Sequence, residues 1–391
     1  MGGPKRASIC QVCAVEFTYS KFIEPLACAL FDRGYRVHAV FANELTKADT
    51  SVSVESRVLI HHVPIERSLS LVALLRSTFF LYRLFSSHSF DAVHVHTPIA
   101  SISARLAARL ARVPVVLYTV HGFYFHDLMP APLRCSHIAL EWFLARFTTE
   151  IFAVSAEDAA AARRLNFLPP DRIHVIANGV NSSRFAPSTV DQRDASRRRF
   201  GLRHDGLVIG IVARLVCEKG YPQLLSAFER IAVLEPRAQL LICGSRLSSD
   251  HADGIESCLA ALRPSTLRQV LVAGELEDVE VAYQAMDIFC LPSWREGLPC
   301  TILEAMMSGL PVVATAIRGC REAVVPGLTG LLVPPRQTEP LVTTLLDLLS
   351  DPRLRQQFGE AGRARALALY ESEAVMARQL ALVDQALARA R

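Results

Sequence analysis

The sequence predicts an α/β fold made of two doubly wound, Rossmann-like domains. Short apolar, β-branched runs alternate with helical patterns along the chain, and this alternation is typical of βα units with parallel sheets. The chain has 391 residues, which is long for one typical domain. A polar, charged stretch without an apolar period, residues 181–206, separates two halves of similar size.

The predicted strands are the short apolar runs. In the first half they lie near residues 7–14, 35–41, 58–63, 91–96, 114–120, 151–155 and 173–176. In the second half they lie near residues 207–213, 239–243, 269–273, 287–291, 311–315 and 330–333. Helical patterns lie between them, for example in residues 22–34 and 101–113.

These elements predict a first domain in residues 1–185 and a second in residues 186–370. A helix over about residues 371–391 is expected to pack back on the first domain. Two doubly wound halves facing one another would enclose a cleft at the carboxyl ends of both sheets, where ligands of such folds bind. Functional residues are therefore expected at strand ends.

The composition indicates a globular protein of a reducing compartment. Half of the residues are apolar and a fifth are charged, which excludes the disordered class. A net charge of +4 does not indicate nucleic-acid binding. The ten cysteines are scattered, which suggests buried thiols without disulfides. Cys10 and Cys13 form a C-x-x-C inside a strand-like run, where their side chains point to opposite faces and are not expected to bind metal.

We expect the protein to be cytoplasmic. The first residues lack the long apolar region of a signal peptide. The longest apolar helix candidate, residues 68–85, is interrupted by Arg76 and Arg83. Spanning a bilayer takes roughly 20 mostly apolar residues, so this segment is predicted to be an amphipathic helix that packs on the protein.

The loop after the first strand of the second half carries two cations. Arg214 and Lys219 lie five positions apart, Gly220 follows, and Pro222 is predicted at the start of the next helix. A helix N-terminus adds its free N–H groups and dipole to these charges, which makes an anion site. A forked guanidinium and a compact ammonium suit a diphosphate. The alternative is a pair of solvated loop cations.

Two glutamates surround a second helix start on the same sheet edge. Glu296 is predicted in a loop, and Glu304 lies eight positions later in a helix that ends before Gly309. Gly297 permits close approach of the backbone to a ligand, and Pro299 suits a helix opening. Carboxylates accept hydrogen bonds from hydroxyl groups, so the pair suits a polyol such as a sugar and a ribose. A helix-capping Glu296 and a surface Glu304 are the alternative.

One histidine of the first half stands at a strand end. His121 follows an apolar strand and precedes a glycine, so it is predicted to face the cleft. His94, His96 and His126 are interpreted as ordinary core or surface histidines. Asn178, before Gly179, is interpreted as part of a turn.

Five segments in this order resemble a known family. They are "TVHG", "VIANGV", "VARLVCEKG", "REGLPCTILEAMMSG" and "PVVAT". Together they are similar to the retaining GT-B glycosyltransferases of family four, over nearly the whole chain. The segments "VHVHTPIAS", "HGFYFHD" and "AIRGCREAV" resemble the subgroup that builds bacterial capsular, exopolysaccharide and lipid-linked glycans. The glycine-rich loop that many members carry after the first strand is missing, so its acceptor contacts are not transferred.

The resemblance implies a donor site for a nucleotide-sugar, with UDP as the expected nucleotide and GDP as the second choice. Arg214 and Lys219 would bind the diphosphate, and the N–H groups near Gly297 and Leu298 would bind phosphate oxygens. These cations and amides would stabilise the negative charge that develops on the leaving diphosphate.

The same resemblance assigns the hydroxyl groups of the donor. Glu304 would hold the ribose, Glu296 would hold hydroxyls of the transferred sugar, and His121 would contact that sugar near the reacting carbon. The family works without a metal, and the sequence has no D-x-D motif that would indicate one. The leaving phosphate oxygen would take the acceptor's proton on the same face of the sugar.

Two other functions are compatible with such a fold and site. A nucleotide-sugar 2-epimerase shares the fold and cleaves the same bond, and a non-catalytic nucleotide-sugar-binding protein would share the site. The full set of Arg214, Lys219, Glu296 and Glu304 favours a transferase. A requirement for an acceptor distinguishes it from an epimerase.

The expected acceptor is a polyprenyl-diphosphate-linked or growing glycan, which suggests peripheral contact with an anionic membrane. Arg105, Arg109 and Arg112 recur at helical spacing, and residues 5–6 and 197–199 are also basic. Basic faces attract anionic lipid. Solvated arginines are the alternative interpretation.

Overall fold

The computed structural model describes residues 6–42, 52–55, 57–65, 70–126, 128–246 and 254–390. The chain forms two compact units, residues 1–177 with 375–391, and residues 178–374. The boundary after residue 177 lies eight positions before the one expected after residue 185.

The first unit is built on a sheet of eight strands. They are β1 (Ser8–Val15), β2 (Arg36–Ala42), β3 (Val52–Glu55), β4 (Val58–His62), β5 (Ala92–His96), β6 (Val115–Val120), β7 (Glu150–Ala153) and β8 (Ile173–Val175). Their order is β3-β4-β2-β1-β5-β6-β7-β8. All neighbours are parallel except β3, which is antiparallel to β4. The predicted strands are confirmed, but β3 was not predicted.

Six helices in the described residues connect these strands. They are α1 (Glu16–Thr18), α2 (Glu24–Asp32), α3 (Leu71–His88), α4 (Pro98–Leu110), α5 (Ala131–Ala145) and α6 (Ala156–Arg164), with a π-helical turn at Tyr19–Ile23. α3 and α4 pack on β1 and β5 through an apolar cluster that includes Leu81, Phe85 and Val95. A second cluster, which includes Tyr118, Phe125 and Ile151, lies under α6.

The second unit has a six-stranded, wholly parallel sheet. Its strands are β9 (Leu207–Val212), β10 (Ala238–Cys243), β11 (Val270–Gly274), β12 (Ile288–Leu291), β13 (Val312–Thr315) and β14 (Gly330–Val333). The order is β11-β10-β9-β12-β13-β14. Counted within the unit this is 3-2-1-4-5-6, the order of a dinucleotide-binding Rossmann sheet.

Nine described helices surround this sheet. They are α7 (Val190–Arg199), α8 (Tyr221–Leu234), α9 (Glu256–Ala260), α10 (Pro264–Leu267), α11 (Glu280–Ala285), α12 (Cys300–Met307), α13 (Cys320–Ala323), α14 (Thr338–Ser350) and α15 (Pro352–Tyr370). The last helix, α16 (Ser372–Arg389), returns to the first unit. There Asp384 accepts from Tyr35 and pairs with Arg33 at 2.8 Å, and Arg389 pairs with Glu150 at 3.0 Å.

The predicted linker was wrong over ten of its residues, because residues 190–199 form α7. This helix lacks an apolar period and is held by polar contacts instead. Thr189 and Gln192 form a capping box at its start. Arg197 is buried and donates to Asp287 at 2.6 Å, so it is not part of an exposed basic face.

The basic face expected on α4 lacks one of its three arginines. Arg105 is fully buried and pairs with Glu141 at 2.9 Å. Its guanidinium also lies over the ring of Tyr118, with the central carbon 4.3 Å from the ring centroid. Arg109 and Arg112 are exposed. Helical spacing alone does not separate a buried ion pair from a solvated cation.

The C-x-x-C motif is structural. Cys10 and Cys13 are both buried, and all ten cysteines are free thiols. Burial raises the pKa of Cys13 to about 12 and that of Cys10 further. Both thiols therefore stay protonated at neutral pH and lack the thiolate that redox chemistry and metal binding require.

Candidate active site

Two loops of the second unit flank the point where its strand order reverses. The sheet extends from β9 through β10 on one side, whereas β12 is its neighbour on the other side. Residues 213–220 follow β9, and residues 292–299 follow β12. Ligands of doubly wound sheets bind in the crevice outside the carboxyl ends of such a pair of strands.

Close backbone packing holds the two loops together. Gly220 has a φ of +81°, and a Cβ atom there would lie 2.0 Å from the carbonyl oxygen of Pro292. The N–H of Trp294 donates to the carbonyl oxygen of Glu218 at 2.9 Å. The glycine therefore provides both the left-handed turn and the space that brings the loops into contact.

An ion pair spans the crevice between these loops. Lys219 Nζ lies 2.6 Å from Glu296 Oε1, and the same oxygen accepts from Ser293 Oγ at 2.7 Å. The side chains of Lys219 and Glu296 are only 17% and 11% exposed. Lys219 is thus not a solvated loop cation, and Glu296 does not cap a helix.

Arg214 belongs to the same loop. It lies two residues after β9, and its carbonyl oxygen accepts from the N–H of Val216 at 2.8 Å, which turns the chain back. Its side chain is half-buried. α8 begins at Tyr221 directly after Gly220, with Pro222 as its second residue, so the positive end of a helix dipole adjoins the loop.

The second loop leads into α12. Leu298 is buried, and its carbonyl oxygen accepts from Asn178 Nδ2 at 2.7 Å. A Cβ atom on Gly319 would lie 1.3 Å from the carbonyl oxygen of Gly297, so the loop backbone packs directly on the segment after β13. Pro299 is the N-cap of α12 rather than its first residue. The backbone at Gly297 and Leu298 is therefore fixed from both sides.

Glu304 lies one turn into α12 and is half-buried. Its Oε2 accepts from the hydroxyl of Tyr283 at 2.6 Å. Burial raises the pKa of Glu304, and the tyrosine hydrogen bond opposes that rise. The alternative interpretation of Glu304 as a surface glutamate is therefore wrong, and the arrangement is that of a positioned hydrogen-bond acceptor.

Both glutamates have an acceptor oxygen to spare. In the residues that the structure describes, no hydrogen bond reaches Oε2 of Glu296 or Oε1 of Glu304. Each carboxylate is thus oriented by one oxygen, while the other can accept from a ligand hydroxyl.

His121 belongs to a chain of polar side chains in the first unit. Gln11 Oε1 lies 2.8 Å from His96 Nε2, and His96 Nδ1 lies 3.3 Å from His121 Nε2. Burial lowers the pKa of His121 to about 4, so the imidazole is neutral at physiological pH. His94 and His96 are buried core residues, as expected. The role assigned to His121 stays a prediction.

Three residues of the second unit were not predicted as parts of the site. Ser293 and Tyr283 orient the two glutamates, and Asn178, interpreted as a turn residue, anchors the loop at Leu298. Ser293 stands three positions before Glu296, and this spacing was available in the sequence. Tyr283 and Asn178 lie 21 and 120 positions from their partners, so only the fold reveals them.

Two family models match the chain. The model described as "Glycosyltransferase Family 4" matches residues 20–184, and "Glycosyl transferases group 1" matches residues 192–365. Together they span both units.

Curated relatives extend the match. The UDP-Gal:alpha-D-GlcNAc-diphosphoundecaprenol alpha-1,3-galactosyltransferase of Escherichia coli is 30% identical over 288 residues, which is 73% of each chain. The capsular polysaccharide biosynthesis glycosyltransferase CapM of Staphylococcus aureus is 25% identical over 342 residues, or 87% of each chain.

Solved structures share the fold. Sucrose-phosphate synthase from Thermosynechococcus elongatus has a TM-score of 0.81 at 21% identity, over 98% of this chain and all of that one. Anabaena HepE in complex with UDP-glucose has a TM-score of 0.74 at 19% identity, over 96% and 99%.

The GT-B fold of these structures is the two-domain arrangement of Rossmann-like sheets that the strand orders show. With one relative 30% identical over nearly three quarters of its length, and with family models matching both units, the chain belongs to the family-four glycosyltransferases of the GT-B fold.

Proposed function

We propose that this glycosyltransferase moves a sugar from a UDP-sugar to a lipid-linked or growing glycan, with retention of the anomeric configuration. The observation that carries the proposal is the ion pair of Lys219 and Glu296 at the strand reversal between β9 and β12. The pair places a cation and a carboxylate in the crevice where such a sheet binds its ligand.

Lys219 suits a departing diphosphate. An ammonium has three donors, and one of them reaches Glu296 at 2.6 Å. The other two are available for phosphate oxygens, next to the N-terminus of α8 and on the loop that also carries Arg214. The loops are already packed together, so this positive charge is in place before the diphosphate becomes more negative.

The proposed transfer requires no nucleophile from the protein. The bond between the anomeric carbon and the diphosphate oxygen breaks, and the acceptor oxygen forms a new bond to that carbon on the same face. The proton of the acceptor hydroxyl goes to the leaving phosphate oxygen. Glu296 and Glu304 hold hydroxyls of the sugar and of the ribose, so neither serves as an acid or base.

The activities for which relatives are named support this choice of substrates. The name of the Escherichia coli relative contains UDP-Gal and a diphosphoundecaprenol acceptor. A mannosyltransferase of Mycolicibacterium smegmatis, 31% identical over 304 residues, is named for GDP-mannose. UDP is our proposal, and GDP-sugars belong in the test.

The decisive test offers the protein a panel of UDP- and GDP-sugars with and without a polyprenyl-diphosphate-linked sugar. We expect acceptor-dependent release of UDP and an α-linked product from an α-linked donor, identified by mass and by the coupling constant of the anomeric proton. An inverted product would exclude retention. Conversion of the donor sugar without an acceptor would favour the epimerase.

The ionised carboxylate of Glu304 is expected to lower the free energy of unfolding, although it helps to bind the nucleotide-sugar donor. Its pKa is raised by burial, so its stability contribution is fully present at acid pH and is lost as the pH rises through the raised value. Glu304→Gln should therefore raise the free energy of unfolding at pH 7.5 by roughly 0.5–2 kcal/mol, with a gain that shrinks on acidification. Urea unfolding at several pH values measures it.

Glu304→Gln should also bind UDP more weakly, because a neutral amide is a poorer acceptor for ribose hydroxyls than a carboxylate. Titration calorimetry with UDP measures this loss. Glu339→Gln, on an exposed carboxylate of α14 that pairs with Arg230, is the matched control and should change neither quantity much. Unchanged UDP affinity in Glu304→Gln would show that Glu304 does not bind the ribose of the donor.

We also propose that the first unit rests on an anionic membrane at its cytoplasmic face. In the described residues no helix combines the length and apolar character needed to cross a bilayer. α3 turns Val72, Leu75 and Phe79 outward, with 76%, 61% and 55% of their surfaces exposed. These side chains recur at helical spacing, so they form one apolar stripe.

Basic residues adjoin this stripe. Leu75 lines a groove together with Leu110, Arg109 and Arg112. The two arginines also line a second concavity with Arg146. Neither α3 nor α4 contains an acidic residue. Apolar side chains beside exposed guanidinium groups match the acyl region and the headgroups of anionic lipid. Lys5, expected to add to this charge, lies outside the described residues.

Replacing two apolar residues of the stripe tests this surface. Leu75→Glu with Phe79→Glu should abolish sedimentation with phosphatidylglycerol vesicles at low salt, whereas the wild-type protein sediments with them. Both side chains are exposed, so the fold should persist. Val233→Glu, on an exposed apolar residue of α8, is the control. Equal sedimentation of the double variant and the control would refute the proposed surface.

A further inference from the structure

Three histidines of the first unit converge at one point. His38 lies in β2, His61 lies in β4, and His88 is the last residue of α3. One ring nitrogen from each lies within 4.8 Å of the others. We propose that these three imidazoles bind a divalent transition-metal ion of the zinc class, which joins the edge of the sheet to α3.

The two strand histidines are already paired. His38 Nδ1 lies 2.8 Å from His61 Nε2, and their rings are stacked with centroids 5.1 Å apart. The neutral imidazole is the metal-binding form, and this contact already places two potential ligand nitrogens side by side.

The ring of His88 keeps one nitrogen with a lone pair for an ion. Its Nδ1 lies 3.1 Å from the carbonyl oxygen of Leu84 and 2.9 Å from Ser87 Oγ. A carbonyl oxygen only accepts, so Nδ1 carries the proton and Nε2 keeps its lone pair. A hydrogen bond from the other ring nitrogen to a backbone carbonyl is the usual support of a metal-binding histidine.

The spacing suits an ion after a small adjustment. Tetrahedral zinc with Zn–N bonds of about 2.0–2.1 Å separates two ligand nitrogens by roughly 3.3 Å, so the 2.8 Å contact between His38 and His61 must open slightly. His88 is exposed at the end of its helix and can move to complete the set. Water then fills the fourth position.

The donor set also selects the ion. Three imidazoles without a carboxylate favour zinc, copper or nickel over magnesium or calcium. Arg36 and His62 are the other groups whose charges act on the pair, and they oppose a bound cation without blocking it, since Arg36 is exposed. Phe90 packs edge-on against His38 and stacks on His88, which holds the rings in place.

The experiment uses the full, untagged chain stripped of metal with a chelator. Titration with ZnCl2 should give one tight equivalent, and ZnCl2 should raise the thermal unfolding midpoint. His88→Ala should weaken zinc binding about 10²-fold or more, since loss of an outer contact alone costs 10–100-fold, and should abolish the rise in midpoint. Its exposed position means that the chain should still fold.

His204→Ala replaces an exposed histidine of the second unit and should bind zinc like the wild type. With CoCl2, tetrahedral d–d absorption without a thiolate charge-transfer band is expected. Three results would overturn the proposal. They are equal zinc affinity in His88→Ala and the wild type, a thiolate band that places the ion on a cysteine, and loss of binding in His121→Ala but not in His88→Ala.

Discussion

Replacing Lys219 with alanine is expected to lower kcat about 10²-fold or more, as does the loss of one donor to a developing oxyanion. The ammonium lies in a crevice that is largely shielded from water, so solvent replaces it poorly. Arg214→Ala should have an effect of similar size. Initial rates of UDP release at saturating donor and acceptor measure both.

Lys219→Ala also leaves Glu296 without its counter-charge, which complicates a single substitution. The double variant Lys219→Ala with Glu296→Gln removes both charges. If the cation acts on the diphosphate, the double variant stays as slow as Lys219→Ala. Recovery of most of the activity in the double variant would mean that Lys219 serves only to neutralise Glu296.

Arg230→Ala is the matched control. Arg230 is a cation of α8 that pairs with Glu339 at the surface, and an exposed pair of this kind contributes roughly 0–1 kcal/mol. Its variant should keep wild-type turnover. Near-wild-type rates in Lys219→Ala would contradict the assignment of Lys219 to the diphosphate.

The parallel strands were predictable because they are buried on both faces. Runs such as β9 and β12 are apolar throughout, which is the composition of parallel strands that are covered on both faces. β3 escaped prediction since it is a short edge strand with polar residues. α7 escaped because its contacts are ion pairs with a residue 90 positions away, which leave no period in the local sequence.

The same holds for the candidate active site, where single residues were predictable from the sequence but their contacts were not. Lys219 and Glu296 were predicted separately, from local motifs on two loops. Their contact depends on β12 lying beside β9, and strand order is a property of the whole sheet. Tyr283 reaches Glu304 from α11, and nothing near either residue in the sequence indicates the pair. Local chemistry was visible, whereas the partners were not.

The second large expected effect is a loss of stability when the buried partner of α7, Asp287, is replaced. Asp287 directly precedes β12 and is buried. Its Oδ2 accepts from Arg197 at 2.6 Å and from the N–H of Val208 at 2.7 Å, and Oδ1 accepts from Arg193. One carboxylate therefore fastens α7 to the amino ends of β9 and β12.

Asp287→Ala is expected to lower the free energy of unfolding of the second unit by about 3–5 kcal/mol, because Arg197 stays buried without a counter-charge. Asp287→Asn should lose less, since its amide oxygen still accepts from Val208. The chain has two tryptophans. In a Trp142→Phe background the fluorescence of Trp294 reports urea unfolding of the second unit alone.

Asp205→Ala removes an exposed carboxylate that pairs with Arg203 at the surface and should stay within about 0.5 kcal/mol of the parent. The folded fraction of Asp287→Ala should keep its turnover, because Asp287 stands at the amino end of β12 and Glu296 follows the carboxyl end. A loss of stability below about 1 kcal/mol would show that the carbonyl oxygens of Ala285, His204 and Gly206, which also accept from Arg197, satisfy the guanidinium alone. α7 would then be held by its neutral hydrogen bonds rather than by charge.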